Sequence, residues 1–290
     1  KSIFMIPQML YEQGLVDVVF KKFAKVGYTN TSTNWDNWNT IVNSLQKTDD
    51  PIKIAMVGKY VTLADSYVSV NEALKHASAS IGRSVNIDWI DSETFNGNLN
   101  QLDNFDGVLV PGGFGTRGSE GIIDTATYTL EKNIPYLGIC FGFQLAAIAF
   151  GRKMCNLENA NSTEIIADTK NPIIDLLPEQ KDETDMGGSL RLGANEIKIN
   201  RDSLAYKIYN SDKIFKRHRH RYEFNTKYRD EFLKNGLVFS GESDDGKRME
   251  ILEVPSHKFF LGVQFHPEFN SRPGFPEDAF KTFVTAASQN

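Results

Sequence analysis

A cysteine in a glycine-flanked turn is the clearest chemical signal in this sequence. Cys140 stands in Gly-Ile-Cys-Phe-Gly, between an apolar run at 135–139 and a helical pattern at 143–150. A nucleophile on a tight strand-to-helix turn is presented at the end of the strand, where the first amides of the helix favour a thiolate. The turn predicts a nucleophilic thiol at Cys140, the alternative being a buried structural cysteine. Cys155 lies outside such a turn and is interpreted as structural.

A thiol nucleophile needs a base, and one of the five histidines stands in a suitable pattern. His266 follows the apolar run 259–264 and precedes Pro267 and Glu268. Proline holds the preceding residue extended, and residues two apart in an extended chain face the same side. The pattern predicts His266 as the base and Glu268 as the residue that orients its imidazole. For this segment taken alone, a solvated turn is the alternative.

A glycine-rich turn at 112–115 follows the apolar run 107–110. Such a turn points successive backbone N–H groups outward, as an oxyanion hole requires. The stretch also matches a dinucleotide fingerprint that ends at Gly118 and needs an acid at the end of the next strand. Glu131 has the required spacing but precedes that strand. We therefore favour an oxyanion loop over a dinucleotide site.

The run Arg-His-Arg-His-Arg at 217–221 has three interpretations: a phosphate patch, a solvated basic face or a weak metal site. Two alternating histidines without an acid or a cysteine pair beside them in the sequence are poor evidence for zinc. No Gly-x-x-x-x-Gly-Lys-Ser/Thr run occurs in the chain, so we expect no P-loop for ATP here.

Composition excludes several classes of protein. The 290 residues are 40% hydrophobic and 24% charged, which is typical of a globular protein with a buried core. No run approaches the ~18 apolar residues of a membrane helix, and the net charge of −5 does not favour nucleic-acid binding. Two cysteines make no disulfide scaffold, so we expect a cytoplasmic protein. Because the chain opens on Lys1 rather than Met, we expect it to be a piece of a longer protein.

Strand and helix patterns alternate from residue 52 onward. Strand patterns are found at 52–57, 85–90, 107–110 and 135–139, and helical patterns at 67–81, 121–133 and 143–150. The alternation predicts an α/β fold with a mostly parallel central sheet flanked by helices. The region 160–215 is interpreted as loops. Beyond it we expect four strands and a last helix, at 221–224, 237–240, 249–254, 259–264 and 277–286.

The leading segment differs from the rest. It predicts an amphipathic helix over 7–26 interrupted at Gly14, a polar linker at 28–34 and a short helix beginning at Asp36. Such a segment cannot bury its apolar stripe alone. We therefore predict two parts: residues 1–50 as the end of a preceding domain with its linker, and 51–290 as one α/β domain.

Together these motifs resemble class I glutamine amidotransferases, whose glutaminase domain carries a Cys-His-Glu triad on an α/β sheet with flavodoxin-like layers. Over almost the whole chain the sequence is similar to the C-terminal half of the CTP synthase family. The runs specific to that family are Asn-Ala-Asn-Ser-Thr-Glu at 159–164 and Arg-His-Arg-His-Arg-Tyr-Glu at 217–223. The leading segment resembles the end of the family's synthetase domain and its linker.

The resemblance implies a glutamine amidohydrolase with Cys140 as nucleophile, His266 as acid and base, and Glu268 as its orienting partner. It implies an oxyanion hole of backbone N–H groups from Gly113 and Phe141. It also places Glu164 near the ammonium of glutamine and Arg221 near its carboxylate. These pairings match opposite charges, since Glu164 is an anion and Arg221 a cation. The full set of implied glutamine-binding residues is Gly113, Phe141, Gly142, Phe143, Gln144, Glu164 and Arg221.

The resemblance also implies partners. The family aminates UTP with ATP and Mg in an N-terminal synthetase domain, takes GTP as activator and forms homotetramers. We assign the GTP contact to Phe114, and expect L-glutamine and the synthetase domain as partners, with no cofactor, metal, nucleic acid or membrane for this domain. Phe141 and Phe143 stand where the family usually has Leu and Met, which puts the pocket shape in question. The alternatives are a stand-alone γ-glutamyl hydrolase-type peptidase and an inactive regulatory amidotransferase-like domain.

Overall fold

The structure is a computed structural model that describes residues 3–23, 35–47, 49–59, 64–94, 98–176 and 190–289. The helices are α1 (Ile6–Glu12), α2 (Leu15–Phe23), α3 (Asp36–Gln46), α4 (Val68–Ser80), α5 (Ser119–Lys132), α6 (Phe141–Lys153), α7 (Leu204–Tyr209), α8 (Arg229–Lys234) and α9 (Asp278–Ala287). The strands are β1 (Ile52–Gly58), β2 (Val85–Asp91), β3 (Gly107–Val110), β4 (Tyr136–Ile139), β5 (Ala160–Ser162), β6 (Asn171–Asp175), β7 (Arg191–Ile199), β8 (Lys213–His220), β9 (Glu223–Phe224), β10 (Val238–Ser243), β11 (Met249–Glu253) and β12 (Phe260–Val263).

Within these described residues, nine strands form one sheet in the order β2-β1-β3-β4-β12-β11-β10-β7-β8. Neighbours from β2 to β12 are parallel, and those from β12 to β8 are antiparallel. A smaller sheet joins β5, β6 and β9. The predicted α/β class with a parallel core is confirmed.

Helices cover both faces of the parallel half. Side chains of α5 and α6 pack in one hydrophobic cluster, and those of α4 and α9 pack in another on the opposite face. Every residue of β3 and of β4 is buried. Burial on two faces is why these strands are continuously apolar in sequence rather than alternating.

The carboxyl ends of four parallel strands meet at one edge of the sheet. β1 ends at Gly58, β3 at Val110, β4 at Ile139 and β12 at Val263. In open α/β sheets ligands bind outside these ends. This edge therefore collects the glycine-rich turn, the cysteine turn and the His-Pro-Glu segment.

The prediction of loops over 160–215 is wrong. The region contains β5, β6, β7, α7 and the first part of β8, and β7 pairs with β8 from Arg191↔His220 to Lys198↔Lys213. The buried positions of β8 include His218 and His220 as well as an apolar residue. Because polar residues occupy inward positions, the strand lacks the apolar alternation by which a half-buried strand is recognised.

The leading segment forms separate short helices. Gly14 adopts φ 79° between α1 and α2, a left-handed conformation that glycine permits, so the interruption predicted there is a break. The indole N–H of Trp38 in α3 donates to the carbonyl of Phe4 (2.7 Å), and α3 packs on α4. Residues 24–26 and the linker predicted at 28–34 lie outside the described residues, and the domain boundary at residue 50 stays a prediction. None of the described helices combines the length and apolarity needed to cross a membrane.

Candidate active site

The turn that carries Cys140 has little steric freedom. Cys140 adopts φ 52° and ψ −97°, a strained conformation for a residue with a side chain. A Cβ at Gly138 would lie 2.7 Å from the carbonyl of Gly142, and one at Gly142 would lie 2.3 Å from the carbonyl oxygen of Val110. The glycines on either side of the cysteine are therefore required by close backbone packing.

Backbone hydrogen bonds hold this turn in place. The N–H of Cys140 donates to the carbonyl of Val263 at the end of β12 (2.7 Å), and its carbonyl accepts from the N–H of Gln144 (3.1 Å). The residue is 5% exposed and precedes the first turn of α6. Its thiol faces the carbonyl oxygen of Arg219 (3.9 Å), while the side-chain amide of Gln264 donates to the sulfur (3.8 Å). The sulfur thus faces polar groups at the sheet edge.

His266 lies between the thiol and a carboxylate. Its Nδ1 is 2.8 Å from Oε1 of Glu268, which leaves Nε2 for the interaction of the ring with Cys140. Glu268 is buried in a short 3₁₀ turn, Pro267–Asn270. The N–H of His266 donates to the carbonyl of Arg217 (2.8 Å), so the edge of β8 holds the histidine backbone. The imidazole thus pairs with the carboxylate and interacts with the thiol.

The charge state of His266 follows from these contacts. Burial lowers the pKa of the imidazole, but the hydrogen bonds and opposite charges of Cys140 and Glu268 outweigh burial and raise that pKa to about 10. A raised pKa keeps the ring protonated at neutral pH. The site therefore holds an imidazolium beside the thiol, ready to donate a proton.

Gly112 contacts this pair directly, which the sequence patterns did not reveal. A Cβ at Gly112 would lie 2.9 Å from Cε1 of His266 and 3.8 Å from Cβ of Cys140. The φ of Gly112 is not in the left-handed region, so alanine fits the backbone and meets only the imidazole.

Gly112→Ala is accordingly expected to displace the imidazole and to lower kcat for the reaction at Cys140 by about 10²-fold, the cost of a misplacement on the order of 1 Å. Steady-state kinetics of the variant measure this change. The thermal unfolding midpoint serves as the control, since the substitution leaves the backbone unstrained. Unchanged kcat in a folded variant would show that the imidazole has room to move.

A cavity of about 710 Å³ opens at the carboxyl edge and contains the thiol and the imidazole. Its wall includes most of the predicted site residues, namely Gly113, Phe114, Cys140, Gln144, Glu164, Arg221 and His266. Ser66, Tyr67, Gly112, Leu190, Arg219, His220 and Tyr222 complete the wall, and of these Ser66, Tyr67 and Tyr222 had been assigned no role at the site. The fold thus brings residues from seven separate segments around one space.

Three predicted glutamine-binding residues do not belong to the cavity wall. Phe141 and Phe143 are buried side chains of α6, and Phe143 packs against Gly262 of β12. Gly142 packs against Val110. The helix turns these residues toward the sheet, so any role of Phe141 at the site passes through its backbone N–H. The side chains of the two phenylalanines are not part of the described cavity wall, and their role in binding glutamine stays a prediction.

Polar groups of the cavity wall are held by specific partners. Oε1 of Glu164 accepts from the N–H of Gly115 (2.7 Å), which connects the carboxylate to the glycine-rich turn. The amide of Gln144 donates to the carbonyl of Tyr222 (2.8 Å) and to Oε1 of Gln264 (3.3 Å). These contacts fix one carboxylate and one amide at the cavity wall.

The two histidines of β8 belong to a buried polar cluster. His218, His220 and Glu250 lie close enough for a metal, and Glu250 is distant in sequence, so an acid does stand beside the histidines in space. Nε2 of His218 is 2.9 Å from Oε2 of Glu250, and Arg191 also pairs with that carboxylate. Burial opposes the charge of Glu250, but the hydrogen bonds from His218 and Arg191 lower its pKa to about 2. Arg191 and His218 already hold this carboxylate, as in an internal polar network.

Comparison with known proteins gives a consistent result. A family model described as glutamine amidotransferase class-I matches residues 62–286. CTP synthase of Staphylococcus carnosus (strain TM300) is 47% identical over 291 residues, which cover 100% of this chain and 54% of that protein. CTP synthase of Halalkalibacterium halodurans is 46% identical over 288 residues, which cover 99% of this chain and 54% of that protein. The chain spans about half the length of these curated relatives.

A solved structure is also similar. The Trypanosoma brucei CTPS glutaminase domain with bound acivicin is 36% identical, with a TM-score of 0.78 over 82% of this chain and 94% of that chain. The family model covers most of the sequence, and the solved domain is matched almost throughout its length. These matches show that the chain belongs to the class I glutamine amidotransferase family, among the glutaminase domains of CTP synthases.

Proposed function

We propose that this chain hydrolyses L-glutamine through a thioester on Cys140 and supplies ammonia to the synthetase domain of a CTP synthase. The observation that carries the proposal is the series of contacts through His266. Its imidazole pairs with the Glu268 carboxylate and interacts with the Cys140 thiol, at the wall of a cavity that also contains Glu164 and Arg221. This is the arrangement of an activated nucleophile with an oriented base.

In the first step the Cys140 thiolate attacks the side-chain amide carbon of glutamine. The carbonyl oxygen becomes negative and is stabilised by the N–H groups of Gly113 and Phe141, the latter being the first amide of α6 and without an acceptor inside the helix. The His266 imidazolium then gives its proton to the amide nitrogen. The carbon–nitrogen bond breaks, ammonia leaves, and a glutamyl thioester remains.

In the second step the neutral imidazole removes a proton from water, which attacks the thioester carbon. The carbon–sulfur bond breaks, glutamate is released, and the thiolate and imidazolium are restored. Glu268 keeps Nδ1 of His266 hydrogen-bonded throughout, so Nε2 performs both proton transfers. The carboxylate stabilises the imidazolium without itself taking the proton.

Charge complementarity orients the substrate. Glu164 suits the ammonium group of glutamine, and the guanidinium of Arg221 suits the carboxylate. Both residues lie on the cavity wall with the thiol, and the hydrogen bond from Gly115 fixes the Glu164 carboxylate. The Arg-rich segment is therefore proposed as a substrate clamp.

The remaining activities concern the whole protein. The ammonia would aminate UTP, with ATP and Mg, in the N-terminal synthetase domain of a cytoplasmic homotetramer. GTP would act as activator beside Phe114, whose ring is 68% exposed and suited to stacking on a purine. The isolated glutaminase chain is expected to hydrolyse glutamine slowly, because the other domain and its nucleotides would switch the site on.

The proposal is tested by labelling with a glutamine-like chloroketone. In the full-length protein we expect the reagent to alkylate Cys140 and to abolish glutamate release from glutamine. Cys155 is an internal control, because burial raises the pKa of its thiol to about 11 and a thiol reacts as the thiolate. Mass spectrometry of the peptides distinguishes the two sites.

Three outcomes would contradict the proposal. Equal labelling of both cysteines would remove the argument for an activated thiol. Absence of labelling together with absence of glutamate release would favour an inactive regulatory domain. Release of glutamate from poly-γ-glutamate but not from glutamine would favour a γ-glutamyl hydrolase-type peptidase.

A further inference from the structure

A buried lysine stands beside the predicted oxyanion hole. Lys59 follows β1 directly and is 5% exposed. Its Nζ donates to the carbonyl oxygens of Phe114 (3.0 Å) and Gly115 (2.5 Å). A buried ammonium is costly unless it is hydrogen-bonded, and here the glycine-rich turn supplies the acceptors. The turn is in this way fastened to the end of a central strand.

The same ammonium contacts the other half of the predicted hole. Nζ of Lys59 lies 4.2 Å from the centre of the Phe141 ring, within the range of a cation–π contact. A Cβ at Gly113 would lie 3.4 Å from that ring, so the two proposed oxyanion donors are neighbours. Lys59 touches both segments that carry these donors.

Further contacts make the arrangement specific. The guanidinium of Arg117 donates to the carbonyl of Lys59 (3.1 Å), and the N–H of Gly115 donates to Glu164 (2.7 Å). The turn is therefore held on one side by an ammonium and on the other by a carboxylate. Lys59 is not part of the cavity wall, so it acts through the turn rather than on the substrate.

We propose that Lys59 is a positioning residue for amide hydrolysis at Cys140. Its ammonium fixes the carbonyls of Phe114 and Gly115, and this holds the N–H of Gly113 in line with the N–H of Phe141. The proposal rests on the glutaminase function proposed above. It adds to the triad the requirement that Lys59 holds the glycine-rich turn in place.

The charge of Lys59 provides a signature that a merely structural side chain lacks. Burial lowers the pKa of Lys59 to about 8, with Arg117 lowering it further and Glu164 and Glu93 raising it. Above that pH the charge-assisted hydrogen bonds to the turn weaken. Hydrolysis is therefore expected to decline from about pH 8, well before His266 loses its proton near pH 10.

The test uses the full-length protein with Lys59→Met, Lys59→Arg and, as matched control, Lys53→Met at an exposed position of β1, the strand that Lys59 follows. Lys59→Met is expected to lower kcat for glutamine hydrolysis by about 10²-fold, the usual effect of losing one oxyanion donor, with KM nearly unchanged. In Lys59→Met, iodoacetamide should alkylate Cys140 at the same rate as in the parent protein, because the thiol and the imidazole stay in place. Lys59→Arg keeps the charge and should move the alkaline decline from near pH 8 toward pH 10.

Several results would overturn the inference. If Lys59→Met keeps the kcat of the parent protein, the ammonium does not act on the transition state. A rise in KM with kcat unchanged would lead to the same conclusion. A parent pH profile that is flat through pH 8 to 9 would do the same, and it decides the matter even if Lys59→Met does not fold. A parent protein without glutamine hydrolysis would instead overturn the proposed function, on which this inference depends.

Discussion

Cys140→Ala in the full-length protein is expected to lower glutamine-dependent CTP formation by at least about 10⁴-fold and to leave ammonia-dependent formation unchanged. Without the sulfur no thioester forms, because nothing else on the described cavity wall offers a thiol. Ammonia added from solution bypasses this step and reaches the synthetase domain directly. CTP measured with each nitrogen source separates the two activities.

The matched control is Cys155→Ala, which removes the other cysteine of the chain. Cys155 is buried at the end of α6, away from the cavity, so both nitrogen sources should support CTP formation in this variant. If Cys140→Ala also loses the ammonia-dependent reaction while remaining folded, the division of labour between the two domains is wrong.

Glu268→Gln is expected to lower kcat for hydrolysis by about 10⁴-fold, as loss of the orienting carboxylate does in a comparable triad. The amide has the shape of the carboxylate but not its charge, so it neither fixes the tautomer of His266 nor stabilises the imidazolium. Glu268 is buried, so water does not replace the lost interaction. The kcat, measured against Glu158→Gln at an exposed position, tests this role.

The pH dependence gives the same variant a second readout. The folded-state pKa of His266, about 10, exceeds its ordinary value of 6.5. The stability that comes from this ion pair is thus complete below pH 6.5 and disappears as the pH rises through about 10. Glu268→Gln lowers this pKa, so its loss of unfolding free energy should be larger near pH 6 than near pH 10. An equal loss at both pH values would show that the carboxylate acts by packing alone.

Local patterns were sufficient where the chemistry depends on neighbouring residues. The spacing of Gly138, Cys140 and Gly142 indicated a tight turn, and the structure shows why, since a Cβ at either glycine would overlap backbone atoms. The spacing of His266 and Glu268 around a proline likewise indicated a shared face, and their 2.8 Å contact lies within one short segment. Such geometry is set by a few consecutive dihedral angles.

Local patterns were insufficient where a polar residue occupies a buried position. β8 was missed because His218 and His220 point inward, where an apolar side chain is normally the signal. Their acidic partner, Glu250, belongs to another strand of the sheet. Phe143, which was predicted beside Gln144 at the site, has a buried ring outside the described cavity wall, because adjacent positions of a helix face different directions.

The sequence by itself determined the class of fold, the turn that presents Cys140 and the pairing of His266 with Glu268, because each depends on residues that are adjacent or regularly spaced. Only the tertiary structure decided which atoms surround them. Gly112 beside the imidazole, Lys59 between the two donor segments and the β8 carbonyl that holds the histidine backbone all come from different strands. Contacts of this kind follow from the order in which strands pair, and strand order is a property of the whole folded chain.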